Sequence, residues 1–269
     1  MLEFLKVVVL SVLQGVAEFL PISSSGHLVL GRSLVGFGDC GLRLDVFLHV
    51  GTLVAVFAFY WATVWRLAKG LVSGTRSECA ASWSYALKIA LSAIPAGLVG
   101  LLFGSQIESA FATPRIVGCG LLVTGVVLTA TRFLPKGNGE VSFFRALLMG
   151  VAQALAILPG VSRSGMTLAA ARAAKVDAEK SAEFSFLMSA PPIAGAALLE
   201  VVDSLGASEA GAASAVPEVA WGMCAAGAVI AAVVGYFSLK LLVSSLKGRW
   251  FWLFGPYCLV AGAAAIMLS

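Results

Sequence analysis

Apolar residues dominate long runs of this chain, and polar positions fall mostly between them. Six runs are long and apolar enough to cross a bilayer as helices of ~20 residues. They cover approximately residues 45–65, 84–104, 114–133, 182–202, 219–239 and 250–268. Three fall in each half, about 1–138 and 139–269. Two further stretches, near 5–35 and 143–172, are also apolar but are interrupted at their centres by Pro and a Ser/Gly cluster. Each predicts a helix, a tight loop and a returning helix. The fold class expected is an all-α polytopic membrane protein forming a single integral-membrane domain, residues 1–269.

Unwound backbone inside a bilayer is tolerable only where it is buried in protein or faces a wet cavity, because lipid cannot satisfy free amides. The two broken stretches therefore read as re-entrant hairpins that return to the side they came from. Three true spans per half then turn the second half upside down relative to the first, an inverted-topology repeat. The hairpins would enter from opposite faces and meet near the middle of the membrane.

The interrupted centres resemble each other. The first reads Gln14-Gly15-Val16-Ala17-Glu18-Phe19-Leu20-Pro21-Ile22-Ser23-Ser24-Ser25-Gly26-His27, and the second Gln153-Ala154-Leu155-Ala156-Ile157-Leu158-Pro159-Gly160-Val161-Ser162-Arg163-Ser164-Gly165-Met166. Without gaps, at an offset of 139, they match at Gln14/Gln153, Ala17/Ala156, Ser23/Ser162, Ser25/Ser164 and Gly26/Gly165. Paired Pro/Gly-broken segments in two halves of a membrane protein point to a binding site.

Composition agrees. Hydrophobic residues make up 59% of the chain, charged residues 12%, and mean hydropathy is +0.96. A soluble domain carries about 25% charged residues, so a soluble enzyme is excluded. The N-terminal Met1–Lys6 stretch, with an acid at Glu3, does not read as a cleavable signal. The five cysteines (Cys40, Cys79, Cys119, Cys224, Cys258) are scattered without metal or disulfide spacing and read as small apolar filler.

Charge sets the sidedness. On the six-span topology, segments 66–83, 134–181 and 240–249, with Lys88 and Arg132 at their boundary, hold 13 of the 18 basic residues. The other side holds four, Lys6, Arg32, Arg43 and Arg115, and Arg163 lies within a hairpin. The positive-inside rule puts the richer side in the cytoplasm and both termini outside.

The polar residues of the hairpins suggest chemistry. Gln14 and Glu18 are four apart, on one helical face. Ser23, Ser24, Ser25 and Gly26 open the returning helix, where hydroxyls cap free amides and the helix N-terminus attracts an anion. Glu18 and Arg163 are costly in lipid and are functional candidates on that ground. Arg163 offers a planar five-donor fork suited to phosphate oxygens. Capping alone would also explain Ser25, Ser162 and Ser164, and interhelical contact would explain Gln14. Asp45 and Glu183 open the spans after the hairpins; Asp45 also reads as an interfacial residue and Glu183 as a surface partner of Lys180. Glu200 and Asp203 read as solvated. A hydroxyl, a base, an acid, a cation and two helix N-termini form a kit for displacement at phosphorus. Neither a GxxxxGK[ST] loop nor a GxSxG elbow is present.

At these residues the chain resembles the undecaprenyl-diphosphate phosphatases, the bacitracin-resistance family of bacterial membrane enzymes. The first family motif, (E/Q)xxxE followed by PxSSxGH, is met by Gln14, Glu18, Pro21, Ser23, Ser24, Gly26 and His27. The second, PGxSRSGxT, is met by Pro159, Gly160, Ser162, Arg163, Ser164, Gly165 and Thr167, and an EFSFL stretch by Glu183 to Leu187. The resemblance implies hydrolysis of undecaprenyl diphosphate to undecaprenyl phosphate and inorganic phosphate, which recycles the lipid carrier of cell-wall synthesis. It implies a divalent cation, Mg²⁺ or Ca²⁺, a bacterial plasma membrane location and a site opening to the periplasm. Gln14 stands where many members have Glu and lacks the charge for a metal role, which leaves Glu18 as the metal candidate.

The mechanism expected makes Ser24 the nucleophile at the terminal phosphorus. His27 takes the serine proton or activates water, and Glu18 orients His27 or holds the cation. Arg163 neutralises phosphoryl oxygens. Gln14, Ser23, Ser25, Gly26, Ser162, Ser164, Gly165 and Thr167 are expected to bind substrate. The alternative is a carrier that moves a phosphate-bearing lipid. The partners expected are the prenyl diphosphate and the membrane, not a nucleic acid; monomer and homodimer both stay open.

Overall fold

A computed structural model describes residues 1–37, 41–111, 113–195, 198 and 219–269. Among them the chain is helical, with only an isolated backbone bridge between Gly139 and Val176. The helices are α1 (Leu2–Ala17), α2 (Ser24–Leu34), α3 (Gly41–Phe59), α4 (Trp61–Ser73), α5 (Arg76–Phe111) and α6 (Pro114–Ala130). In the second half come α7 (Phe143–Leu155), α8 (Arg163–Ala173), α9 (Ala178–Leu187), α10 (190–195), α11 (Trp221–Gly248) and α12 (Phe254–Met267). Both interrupted stretches form the helix, loop and helix read from the sequence: α1–α2 and α7–α8.

Local signals set the ends. Ser142 caps α7 by accepting from Arg145 N at 3.3 Å, and Asp177 caps α9 by accepting from Glu179 N at 3.0 Å and Lys180 N at 3.2 Å. Pro114 opens α6, where its missing N–H is not needed. Arg249, with φ 63°, closes α11 in the left-handed region.

Among the described residues, three helical segments are long and apolar enough to cross a membrane: Arg76–Ile107, Pro114–Phe133 and Trp221–Gly248. A fourth span arises if Arg43–Phe59 and Trp61–Ser73 count together, but they bend by 80°. The run at 45–65 is thus not one straight helix. It stops at Tyr60, whose ring is wedged beside Phe59 (centroids 5.0 Å apart). Beyond the bend α4 carries Arg66 and Lys69, which disfavour lipid, and exposes Trp61 and Trp65, the residue type that anchors helices at an interface.

The run at 182–202 is interrupted as well. α9 ends at Leu187, residues 188–189 turn, and α10 contains Pro191 and Pro192 in its first turn. Its outer part, with Glu200 and Asp203, lies outside the described residues, as does Cys40. The run at 250–268 forms a shorter apolar helical segment, Phe251–Met267. Of the other cysteines, Cys224 and Cys258 are buried, Cys79 is half-buried and Cys119 is exposed.

The helix faces explain why the protein needs lipid. Leu87, Ile94, Leu98 and Leu101 on α5, and Val229, Val233 and Phe237 on α11, are all exposed. So many exposed apolar side chains on long helices suit a hydrocarbon solvent, not water.

α1 packs on α11 and α7 on α5, while α6 packs on α12 and α3 on α11. The backbones approach closely: a Cβ on Gly150 of α7 would collide with the Ser92 carbonyl of α5. The first hairpin tip sits in the largest buried cluster. Phe19, Leu20 and Ile22 from the first tip meet Leu168 of α8, Phe186 of α9, and Leu239 and Leu242 of α11. The rings of Phe19 and Phe186 meet edge to face at 5.4 Å. Unwound backbone in mid-fold is thereby enclosed in protein.

Candidate active site

The first loop leaves α1 with Glu18 as its C-cap and passes through Pro21 to Ser23. Ser23 holds φ 71°, a strained backbone conformation for a residue with a side chain. The strain aims two groups. The Ser23 hydroxyl accepts from Gly26 N at 3.4 Å, and the Ser23 carbonyl accepts from Nδ1 of His27 at 2.9 Å.

The second loop is built alike. Ser162 caps α8 by accepting from Gly165 N at 3.1 Å. Its hydroxyl lies 3.3 Å from that of Ser164, as Ser23 lies 3.4 Å from Ser25. Gly160, at φ +83°, supplies the turn; a Cβ there would collide with the Val117 carbonyl of α6. Thr124 of α6 fixes this loop by accepting from Ser162 N at 2.9 Å.

The two tips touch. The space where a Gly26 side chain would lie is filled by Gly160 and Val117, and Gly165 faces Pro21 in the same way. These two glycines permit the loops to meet. Thr167 is fully buried and bonds the Ser185 hydroxyl of α9 at 2.6 Å, which braces α8.

Glu18 is the hub, 7% exposed. Its Oε2 accepts from Ser24 Oγ at 2.6 Å and from Gln14 Nε2 at 3.1 Å. Its Oε1 pairs with the Arg163 guanidinium of the other hairpin. His49 Nε2, from α3, stands 3.8 Å from Oε2. Ser24, Ser25, Arg163 and His49 are the half-open members, while Glu18, Gln14, Ser23, Ser162 and Ser164 are buried. Arg163 Nη1 is buried without a partner, and so is Gln14 Oε1. An unfilled donor on a guanidinium already anchored at its other nitrogen suits an anionic oxygen.

No hydrogen bond joins His27 to Ser24 among the described residues. Its ring is held between the Ser23 carbonyl and the Tyr257 hydroxyl of α12, 2.7 Å from Nε2. The hydrogen-bond acceptor of Ser24 Oγ is Glu18. Asp45 pairs with Arg32, and its backbone carbonyl accepts from Nδ1 of His49 at 2.7 Å. Glu183 is no partner of Lys180, which pairs with Glu140; it accepts from Thr63 Oγ1 at 2.8 Å and Tyr85 Oη at 3.4 Å, between α4 and α5. Sequence reading missed His49, Thr124 and Tyr257. Each sits on a mostly apolar helix outside both hairpins, and only its contact with a hairpin that is distant in the chain gives it a role.

The donor set does not form a resident metal cage. Among the described residues no three His, Cys, Asp or Glu side chains cluster suitably. Glu18 brings the lone carboxylate of this group, and it is already engaged by a serine, an amide and a guanidinium. A hard cation takes several oxygen ligands, and one engaged carboxylate does not by itself supply them.

Similarity places the chain among known proteins. Residues 7–264 match the family described as Bacitracin resistance protein BacA. A protein of Desulfatibacillum aliphaticivorans named undecaprenyl-diphosphatase is 39% identical, over 100% of this chain and 99% of its own. One of the same name from Pelotomaculum thermopropionicum is 40% identical over 98% and 96% of the two chains. Another, from Methanosphaera stadtmanae, is 36% identical over 100% and 99%. With the match running over nearly the whole length of both chains, this chain belongs to the bacitracin resistance protein BacA family.

Proposed function

We propose that this protein hydrolyses undecaprenyl diphosphate to undecaprenyl phosphate and inorganic phosphate at the junction of its two hairpins. The observation that carries the proposal is the hydrogen bond from Ser24 Oγ to Glu18 Oε2 at 2.6 Å, with Arg163 of the opposite hairpin on the other carboxylate oxygen. A hydroxyl bonded to a carboxylate is an activated nucleophile. The free donor of Arg163 lies in the same cluster and can take the charge of a transferring phosphoryl group.

The chemistry proceeds in two displacements. Ser24 Oγ attacks the terminal phosphorus and its proton passes to Glu18. The bond from that phosphorus to the bridging oxygen breaks, and its electron pair leaves with undecaprenyl phosphate. Water then attacks the phosphoserine, giving one proton to His27. The P–Oγ bond breaks, Ser24 recovers its proton from Glu18, His27 releases its proton to solvent, and inorganic phosphate departs. Ser23, Ser25, Ser162 and Ser164, with the amides opening α2 and α8, cradle the oxygens. A divalent cation fits this scheme as a companion of the diphosphate and not as a fixture of the protein.

The same reading includes the inverted repeat with halves 1–138 and 139–269, six spans, both termini on the periplasmic side, a site opening there, and residence in the plasma membrane. The pairing of α1 with α11 and α7 with α5, and the matching caps at Ser23 and Ser162, support a pseudo-twofold arrangement. Ser24 and Arg163 then occupy equivalent places, a hydroxyl facing a guanidinium. The carrier reading loses ground because the relatives are named for diphosphatase activity.

Detergent-solubilised protein tests the proposal, since no second compartment exists there. Phosphate release from a prenyl diphosphate, with a phosphoserine at Ser24 trapped by acid quench and detected by mass spectrometry, is expected. Binding without phosphate release would favour a carrier.

A further inference from the structure

Tyr257 belongs to neither hairpin, yet its hydroxyl stands 2.7 Å from Nε2 of His27. The two rings lie nearly parallel, 17° apart with centroids at 5.7 Å. The neighbouring residue repeats the attachment: Cys258 Sγ reaches the Pro21 carbonyl at 3.5 Å. Two adjacent side chains of α12 thus register that helix on the first loop.

The tautomer follows from the partners. A carbonyl only accepts, so His27 Nδ1 carries the proton it gives to Ser23 O, and in the neutral ring Nε2 bears the lone pair. Tyr257 therefore donates to Nε2. This is the nitrogen left for proton transfer, and Tyr257 covers it: His27 is 9% exposed and Tyr257 47%. Ser23 fixes the ring from one side through its strained backbone, and Tyr257 fixes it from the other.

We propose that Tyr257 is a positioning residue that acts through His27: it holds the imaidazole ring in the orientation and tautomer needed to take a proton from the attacking water. The inference rests on the functional reading above, because it assigns a role within that reaction. The hydroxyl gives way when water binds, and the neutral ring then accepts one water proton as the oxygen bonds to phosphorus.

The test is a double-mutant cycle on the full-length protein in detergent, with phosphate release from a prenyl diphosphate as the readout. Tyr257→Phe keeps the ring and removes the hydroxyl. It is expected to lower kcat by about 10-fold to 100-fold, the usual loss when the partner orienting a functional histidine is removed, with KM within about twofold. On a His27→Ala background the same change is expected to cost less than about twofold, since its target is gone. Cys258→Ala, which removes only the neighbouring contact, is expected to keep near-normal turnover. An unimpaired Tyr257→Phe, an equal loss on both backgrounds, or an equal loss in Cys258→Ala would each overturn the positioning role. Wild-type protein that releases no phosphate would instead overturn the functional reading itself.

Discussion

Glu18 and Arg163 stand 145 residues apart in the chain and form an ion pair across the junction of the two hairpins. Each loop contributes one charge, Glu18 buried and Arg163 half-open. Removing Arg163 leaves the buried carboxylate uncompensated, which typically costs about 3–5 kcal/mol; removing Glu18 costs less, because the guanidinium reaches solvent. Glu18→Ala and Arg163→Ala are therefore expected to lower thermal stability and to cut phosphate release by at least 10²–10³, the loss usual for one preorganised donor. Arg163→Lys is expected to recover little, because an ammonium cannot both pair with Glu18 and present a second fixed donor. Turnover and melting of the three variants check this.

Ser24 makes a sharper case. Its hydroxyl donates to Glu18 and is half-open, while Ser23 is buried as a cap. Ser24→Ala is expected to abolish turnover and the acid-stable phosphoenzyme together. Ser23→Ala is expected to weaken the cap by about 1 kcal/mol and to leave the phosphoserine detectable. Near-normal phosphate release by Ser24→Ala would replace the covalent route with direct attack by water.

His49 faces Glu18 at 3.8 Å from a helix outside both hairpins. His49→Gln, neutral and of similar reach, is expected to stay within about tenfold of normal kcat. His49→Asp puts a like charge beside Glu18, where repulsion disfavours the carboxylate form, and is expected to cost roughly 10²-fold. Steady-state kinetics of the two variants tests whether Glu18 depends on the charge of its neighbour.

The second loop depends on Gly160 and Thr124 for its shape. Gly160→Ala adds a Cβ against the Val117 carbonyl at a positive φ, and strain of this kind costs about 1–3 kcal/mol. Thr124→Val leaves Ser162 N unpaired and is expected to cost about 1–3 kcal/mol. Both should lower the melting temperature and reduce kcat by displacing Arg163, measured in one preparation by thermal unfolding and phosphate release.

Much of this was readable in the residue order because it depends on local rules. Broken apolar stretches with Ser/Gly centres gave two helix–loop–helix hairpins, and a buried carboxylate and guanidinium marked the charges that pair. What escaped depends on contacts distant in sequence. The run at 45–65 is apolar on both sides of Tyr60, so the bend there has little local signal; the charges of Arg66 and Lys69 just beyond it were the available clue. The turn at 188–189 had a signal, the Pro191-Pro192 pair, which a hydropathy window averages away. Gly26, Gly165 and Thr167 carry family motif letters, but their neighbours are protein: Gly160, Pro21 and Ser185. His27 was paired with Ser24 on proximity in sequence, whereas the turn of Ser23 directs the ring to α12.

The central claim is that Ser24 and Arg163 act on one phosphoryl group between the hairpins. A structure of the protein with a bound non-hydrolysable prenyl diphosphate analogue tests it most directly. The account predicts the terminal phosphorus within reach of Ser24 Oγ, opposite the bridging oxygen, with a phosphoryl oxygen on Arg163 Nη1. A diphosphate seated away from either residue would contradict it.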